Sequence, residues 1–258
     1  MKRIHIIGSS PRTGTTLLAE AMKVGFNIDR TLNHEASISN LNPPDGQVFL
    51  TKKPDDYLKV KWPLRLYRAL YVICIVRDPR DSIVSFNSRQ PGTYWTSLKS
   101  WKAFVTAFDE IETLPRFLWF RYEDFVTNPD RVQDLIAEHL PFLTVKHRFS
   151  QYHHHAQPDE GTAKDLNSVR PIAPAGVGAW KNHLPRVKQQ IAVHGSITND
   201  LIRFGYEADD SWETLLQSVE PGTFDSARSE FYTRRRLLKK RYQGLIAGIR
   251  LAWQHRQQ

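Results

Sequence analysis

The 258-residue sequence predicts an α/β protein, a three-layer fold in which a parallel sheet is flanked by helices, with a basic helical tail at the C-terminal end. Three observations carry this. Short runs rich in Ile, Val and Phe alternate with longer stretches of helical period, the pattern of strands joined by crossover helices. The first such run opens directly into a glycine-containing loop and a helix. The positive charge gathers at one end of the chain rather than along it.

Taken in order, the pattern predicts a strand over 3–7, a helix over 15–24, a strand over 48–51 and a helix over 58–70. A second apolar strand follows at 71–76, then helices over 81–87 and 95–112 and a strand at 116–120. A helix over 129–139 begins near Asn128, a good N-cap residue placed before Pro129, and another covers 187–204. Residues 149–179 carry Pro158, Pro171, Pro174 and several glycines without periodicity, so they predict a long functional loop. The division is a domain over 1–206 and an extension over 207–258.

Apolar residues make up 40% and charged residues 24% of the chain, which suits one domain with a sizeable core. The single cysteine, Cys74, lies in an apolar strand and reads as a small buried hydrophobe. The apolar stretch 4–7 is interrupted by His5 and ends at Gly8, too short for a secretory signal. No window approaches the roughly 18 apolar residues of a membrane span. The expectation is a soluble, cytoplasmic protein. Of the net charge of +9, residues 228–256 hold +8, with nine Lys or Arg against Glu230. That concentration in the tail argues against a nucleic-acid groove.

The first strand runs into residues 8–16, GSSPRTGTT, and then into a helix. Strand, glycine loop and helix N-terminus aim backbone N–H groups and a helix dipole at one spot, so an anion should bind there. The loop is not the ATPase form G-x-x-x-x-G-K-[ST], since Thr15 follows Gly14 where that form has lysine, and the cation is Arg12 within the loop. This counts against nucleotide hydrolysis.

The segment 11–16, PRTGTT, resembles the 5′-phosphosulfate loop P-[KR]-[ST]-G-T-T of sulfotransferases that use 3′-phosphoadenosine 5′-phosphosulfate (PAPS) and release PAP. Residues 77–85, RDPRDSIVS, are similar to that family's 3′-phosphate motif, an Arg at a strand end and a Ser eight residues on. There Arg77 supplies a forked cation, Ser85 is expected two turns into the next helix, and Arg89 one turn further on the same face. Residues 121–125, RYEDF, resemble the R-Y-E-D-L segment, which implies that Tyr122 helps hold adenine and that Glu123 and Asp124 are structural. Arg170-Pro171 and residues 176–181, GVGAWK, resemble the late loop that closes over the donor. They depart from the R-K-G-x-x-G-x-W-K form of the cytosolic animal enzymes and lie nearer the bacterial and tyrosyl-protein branches.

By the same resemblance the donor site comprises Arg12, Thr13, Gly14, Thr15, Thr16, Arg77, Ser85, Arg89, Tyr122, Arg170, Gly178, Trp180 and Lys181. Either Arg170 or Lys181 would meet the 3′-phosphate from the late loop. Lys52-Lys53-Pro54 falls where the family carries K-x-P, so Lys52 would reach the bridging oxygen of the donor and share developing charge with Arg12. The K-T-H-x-P form of many cytosolic members, with His as base, is absent. Glu35, in 33–37 NHEAS, matches a catalytic Glu of tyrosyl-protein-type members and is the expected general base, its pKa tuned by burial, with His34 the rival. His153, His154 and His155 lack an accompanying acid or Cys at ligand spacing, so no metal is assigned.

The expected activity is metal-independent, in-line sulfuryl transfer from PAPS to a hydroxyl or amine acceptor, which a small molecule, glycan, lipid or peptide could supply. A P-loop kinase of a small substrate and a catalytically silent membrane scaffold are the competing classes. In the tail, Phe231, Leu238, Tyr242, Leu245, Ile249 and Ala252 recur at helical spacing among basic residues. Such a helix can lie on an anionic membrane through residues 228–256, pack on a partner, or cover its own domain.

Overall fold

The computed structural model describes residues 1–32, 35–40, 46–87, 90–228 and 233–255. The chain begins with strand β1 (Lys2–Gly8) and helix α1 (Thr15–Gly25), followed by a short strand β2 (Arg30–Thr31) and strand β3 (Val48–Lys52). A 3₁₀ turn (Pro54–Leu58) and helix α2 (Lys61–Leu66) lead to strand β4 (Leu70–Val76) and helix α3 (Pro79–Ile83). Strand β5 (Thr93–Tyr94), helix α4 (Leu98–Phe108), strand β6 (Phe117–Arg121) and helices α5 (Tyr122–Thr127) and α6 (Pro129–His139) follow. Then come α7 (Tyr152–His155), α8 (Glu160–Leu166), α9 (Leu184–His194), α10 (Thr198–Arg203), strand β7 (Asp225–Ser226) and the long α11 (Arg234–His255).

The main sheet has the order β2-β3-β1-β4-β6, and every pair in it is parallel. Its centre is apolar on both faces, which is why β4 reads as an unbroken hydrophobic run. Alternation sorts the side chains: Ile4, Ile6, Ile73 and Ile75 face a layer containing α1, α5 and α6. Ile7, Val72, Cys74 and Val76 face the opposite layer with α2, α4 and α9. This is the three-layer α/β arrangement. Cys74 is a buried free thiol, its pKa pushed up by that burial.

Strand and helix positions follow the sequence pattern closely at β1, α1, β3, β4, β6 and α6, where Asn128 caps α6 by accepting from the Arg131 N–H. Four expectations change. The helix expected over 58–70 is the 3₁₀ turn followed by the shorter α2, and that expected over 95–112 is only Leu98–Phe108. The helix expected over 81–87 stops at Ile83, because the chain turns extended there: the Ser85 carbonyl accepts from the Trp95 N–H and Phe86 bridges to Tyr94. The helix expected over 187–204 divides into α9 and α10 at Gly195, which adopts φ 82°. The 149–179 loop contains α7 and α8, the latter capped by Asp159 accepting from Thr162.

In the C-terminal extension, Trp212 and Leu216 join the same core as β4 and α4, and Ala247 and Leu251 of α11 are buried. Gly244 and Gly248 let α11 lie directly on the backbone of Lys59, Trp62 and Pro63. The helix therefore covers its own domain with one face. Among the described residues no helix is long and apolar enough to cross a membrane.

Candidate functional site

β1 is the point at which the sheet changes direction: β3 lies on one side of it and β4 on the other. In open parallel sheets the crevice at the carboxyl ends of such strands takes ligands. Here it is a cavity of about 1040 Å³ into which the ends of all three strands deliver side chains. The loop after β1 contributes Arg12, Gly14, Thr15 and Thr16, the end of β3 contributes Lys52, and the residue after β4 is Arg77.

The loop is shaped by its own residues. Thr13 is buried and donates its hydroxyl to the Ser10 carbonyl at 2.9 Å, so this side chain braces the loop. Arg12 adopts φ 71°, a left-handed conformation uncommon outside glycine. Gly14, at φ 84°, precedes α1 without any side-chain cap, leaving the first-turn amides of α1 without intrahelical partners. A Cβ on Gly14 would lie 2.7 Å from the Tyr122 ring, so the same residue lets that ring approach. Lys52 donates from Nζ to Thr16 Oγ1 at 2.8 Å, which joins the end of β3 to the first turn of α1.

Arg77 is the centre of the other half. Its guanidinium stacks 4.6 Å from the Tyr122 ring centroid, donates to the Arg12 carbonyl at 2.8 Å and to the Gly176 carbonyl at 3.0 Å. Its Nε is buried with no hydrogen-bond partner among the described residues. Arg12 reaches solvent in the cavity, yet the walls withdraw enough water to lower its pKa, and the charge of Arg77 lowers it further. Burial also lowers the Lys52 pKa, against the opposing charge of Glu35.

Among the described residues the cavity is lined by seven Lys or Arg side chains and two carboxylates. That excess gives the cavity a positive field that favours an anion over a cation. The late loop contributes Arg170, which is exposed on the cavity wall. Glu35 lines the rim near Lys52, held there by the Ala36 N–H donating to the Lys52 carbonyl at 3.0 Å. It is exposed, so the burial expected to tune it is not found.

Other expected residues lie elsewhere. Ser85 sits outside α3, for the reason given above, and does not line the cavity. Gly178 and Trp180 donate their backbone N–H groups to the Asp81 carboxylate at 2.8 and 3.0 Å. Trp180 is buried under the Arg80 guanidinium, 4.1 Å away, and Lys181 is exposed beside it. These three do not line the cavity. His34 and Arg89 lie outside the described residues.

Sequence reasoning also missed part of the site. Phe86 and Trp95 form an aromatic wall near Pro54, with Arg228 close by and paired to Asp55 at 3.0 Å. Lys164, Asn167 and Ser168 come from α8 and the turn after it, where Asn167 and Ser168 are both left-handed. The Asp159-to-Thr162 capping spacing was the one local signal for that helix.

Comparison with known proteins leaves the family open. No family model matches the chain, and no curated protein does. Among solved structures, a sulfotransferase domain from the curacin biosynthetic pathway is 14% identical, with a TM-score of 0.40, over 71% of this chain and 98% of its own. Retinol dehydratase in complex with retinol and PAP is 13% identical, with a TM-score of 0.35, over 86% of this chain and 84% of its own. Its complex with androsterone and PAP gives 12% identity and a TM-score of 0.30 over 96% and 81%.

Proposed function

We propose that this protein is a sulfotransferase that takes its sulfuryl group from PAPS and passes it to a hydroxyl or amine acceptor. The observation that carries the reading is the convergence of Arg12, Lys52 and Arg77, from three neighbouring strand ends, on one strongly cationic cavity. The motif order along the chain supports it, and so do the orphaned Nε of Arg77 and the uncapped first turn of α1, two sets of donors suited to phosphate and sulfate oxygens.

PAPS supplies the sulfuryl group and a nucleotide phosphate leaving group. The first turn of α1 with Thr15 and Thr16 would hold the phosphosulfate, and Arg77 the phosphate at the ribose end, with the Tyr122 ring beside the base. Lys52, already bonded to Thr16, would meet the charge that develops on the departing oxygen, and Arg12 would share it. Glu35 at the rim is the proposed proton acceptor for the acceptor group. The aromatic wall of Phe86 and Trp95 borders the space beyond Lys52 and is the proposed acceptor side.

Calorimetric titration with PAP in the absence of metal, set against ATP with Mg²⁺, tests the reading. Saturable PAP binding is expected, weakened about ten- to hundredfold by Arg12→Ala or Arg77→Ala, the range for one charged hydrogen-bonding partner. Absence of PAP binding, or tighter binding of ATP that depends on Mg²⁺, would replace it with the kinase.

A further inference from the structure

Helix α11 has two apolar faces. One is docked: Ala247 and Leu251 are buried, and Gly244 and Gly248 meet the backbone of α2 and the residues before it. The other points to solvent. Leu238, Tyr242, Ile249 and Trp253 are 58%, 63%, 51% and 62% exposed, and at 3.6 residues per turn they form one stripe, with half-buried Leu245 between them. The stripe runs about 22 Å along the helix at 1.5 Å per residue.

The charges separate in the same way. On the docked side Lys240 pairs with Asp55 and Arg241 with Glu110. Around the stripe Arg234, Arg235, Lys239 and Arg250 are exposed and make no ion pair among the described residues. No Asp or Glu occurs anywhere from 234 to 255.

We infer that this stripe seats the protein on an anionic lipid bilayer, with α11 lying in the plane of the interface. A second copy of the chain is the poorer occupant, because two such helices would bring like charges together with no acid to offset them. Nucleic acid would leave the large apolar side chains idle. A bilayer uses both features: the apolar side chains enter the acyl boundary, Tyr242 and Trp253 suit the headgroup level, and the flanking cations meet acidic lipid.

The test is flotation of the full-length protein with phosphatidylcholine vesicles, with and without phosphatidylserine, followed by PAP titration and sedimentation velocity on the same preparations. Binding to the phosphatidylserine vesicles is expected, falling as salt rises. Arg234→Gln, Arg235→Gln and Lys239→Gln together should lower it about a hundredfold, since each charge contributes about fivefold. Leu238→Ser, Ile249→Ser and Trp253→Ser together should abolish it while thermal melting and PAP binding stay unchanged, which separates this inference from the donor reading. Failure to bind phosphatidylserine vesicles at low salt overturns the inference. So does binding that neither variant weakens, or a dimer that the Ser variant dissolves.

Discussion

Gly14 sits at φ 84° with the Tyr122 ring 2.7 Å from where a Cβ would be, so both backbone conformation and space depend on the missing side chain. Gly14→Ala places a Cβ in the left-handed region, at about 1–2 kcal/mol, and pushes Tyr122 away from Arg77. PAP affinity should therefore drop at least tenfold in calorimetry, with a lowered melting temperature; unchanged affinity would show that the Tyr122–Arg77 stack plays no part in the site. Lys52 predicts a different signature. It bonds Thr16 but is proposed to act on charge that appears only during transfer, so Lys52→Met should leave PAP binding within a few-fold. Release of PAP from PAPS with water as acceptor should fall about 10²–10³-fold. Equal losses in binding and turnover would assign Lys52 to ground-state binding alone.

The docking of α11 shows why glycine, normally a poor helix residue, is retained there. A Cβ at 244 would lie 2.4 Å from the Lys59 carbonyl and one at 248 would lie 2.8 Å from the Trp62 backbone. On propensity alone Gly244→Ala should stabilise the helix by about 1 kcal/mol. The contact reverses that sign, and Gly244→Leu should cost about 1–3 kcal/mol in urea denaturation through displacement of α11 from α2. The same contrast between local and tertiary causes explains what could be read in advance. β1, β3, β4, α1 and α6 were legible because buried alternation, continuous apolar runs and the Asn128 cap are local signals. So was the glycine-containing turn from β1 into α1, whose left-handed Arg12 and Gly14 belong to one short segment. The positions of Trp180 and Gly178 were not, because they answer to Asp81, nearly a hundred residues earlier (separations of 99 and 97). Phe86 and Arg228 reach the cavity through pairing with Tyr94 and Asp55, which no local pattern encodes.

At the scale of the whole molecule, one proton connects several parts of the structure. The Glu123 carboxyl accepts from the Asp78 N–H at 3.1 Å and lies 3.2 Å from the Tyr206 hydroxyl, which also donates to the carbonyl of Val76. It thus ties the end of β4, the start of α3, α5 and the segment after α10. Burial raises its pKa from 4.5 to about 7; the charge of Asp78 adds to the rise, while the N–H groups of Glu123 and Asp78 and the charge of Arg77 oppose it. Because the folded pKa lies above the unfolded one, the native state holds a proton that the unfolded chain has released across that window. Stability from this group is therefore complete below about pH 4.5 and is lost as pH rises through about 7, by an amount on the order of 3 kcal/mol. Glu123→Gln keeps an oxygen for the Asp78 N–H and offers its amide to the Tyr206 oxygen, while the Tyr206 hydroxyl donates to the Val76 carbonyl. The variant should match the parent in melting temperature near the acid end of the window and exceed it by a widening margin toward about pH 8. Every other ionisable group is common to both proteins, so the comparison isolates position 123. A difference that does not vary with pH would mean that Glu123 is ionised throughout and that its role in this junction is that of an ordinary charged acceptor.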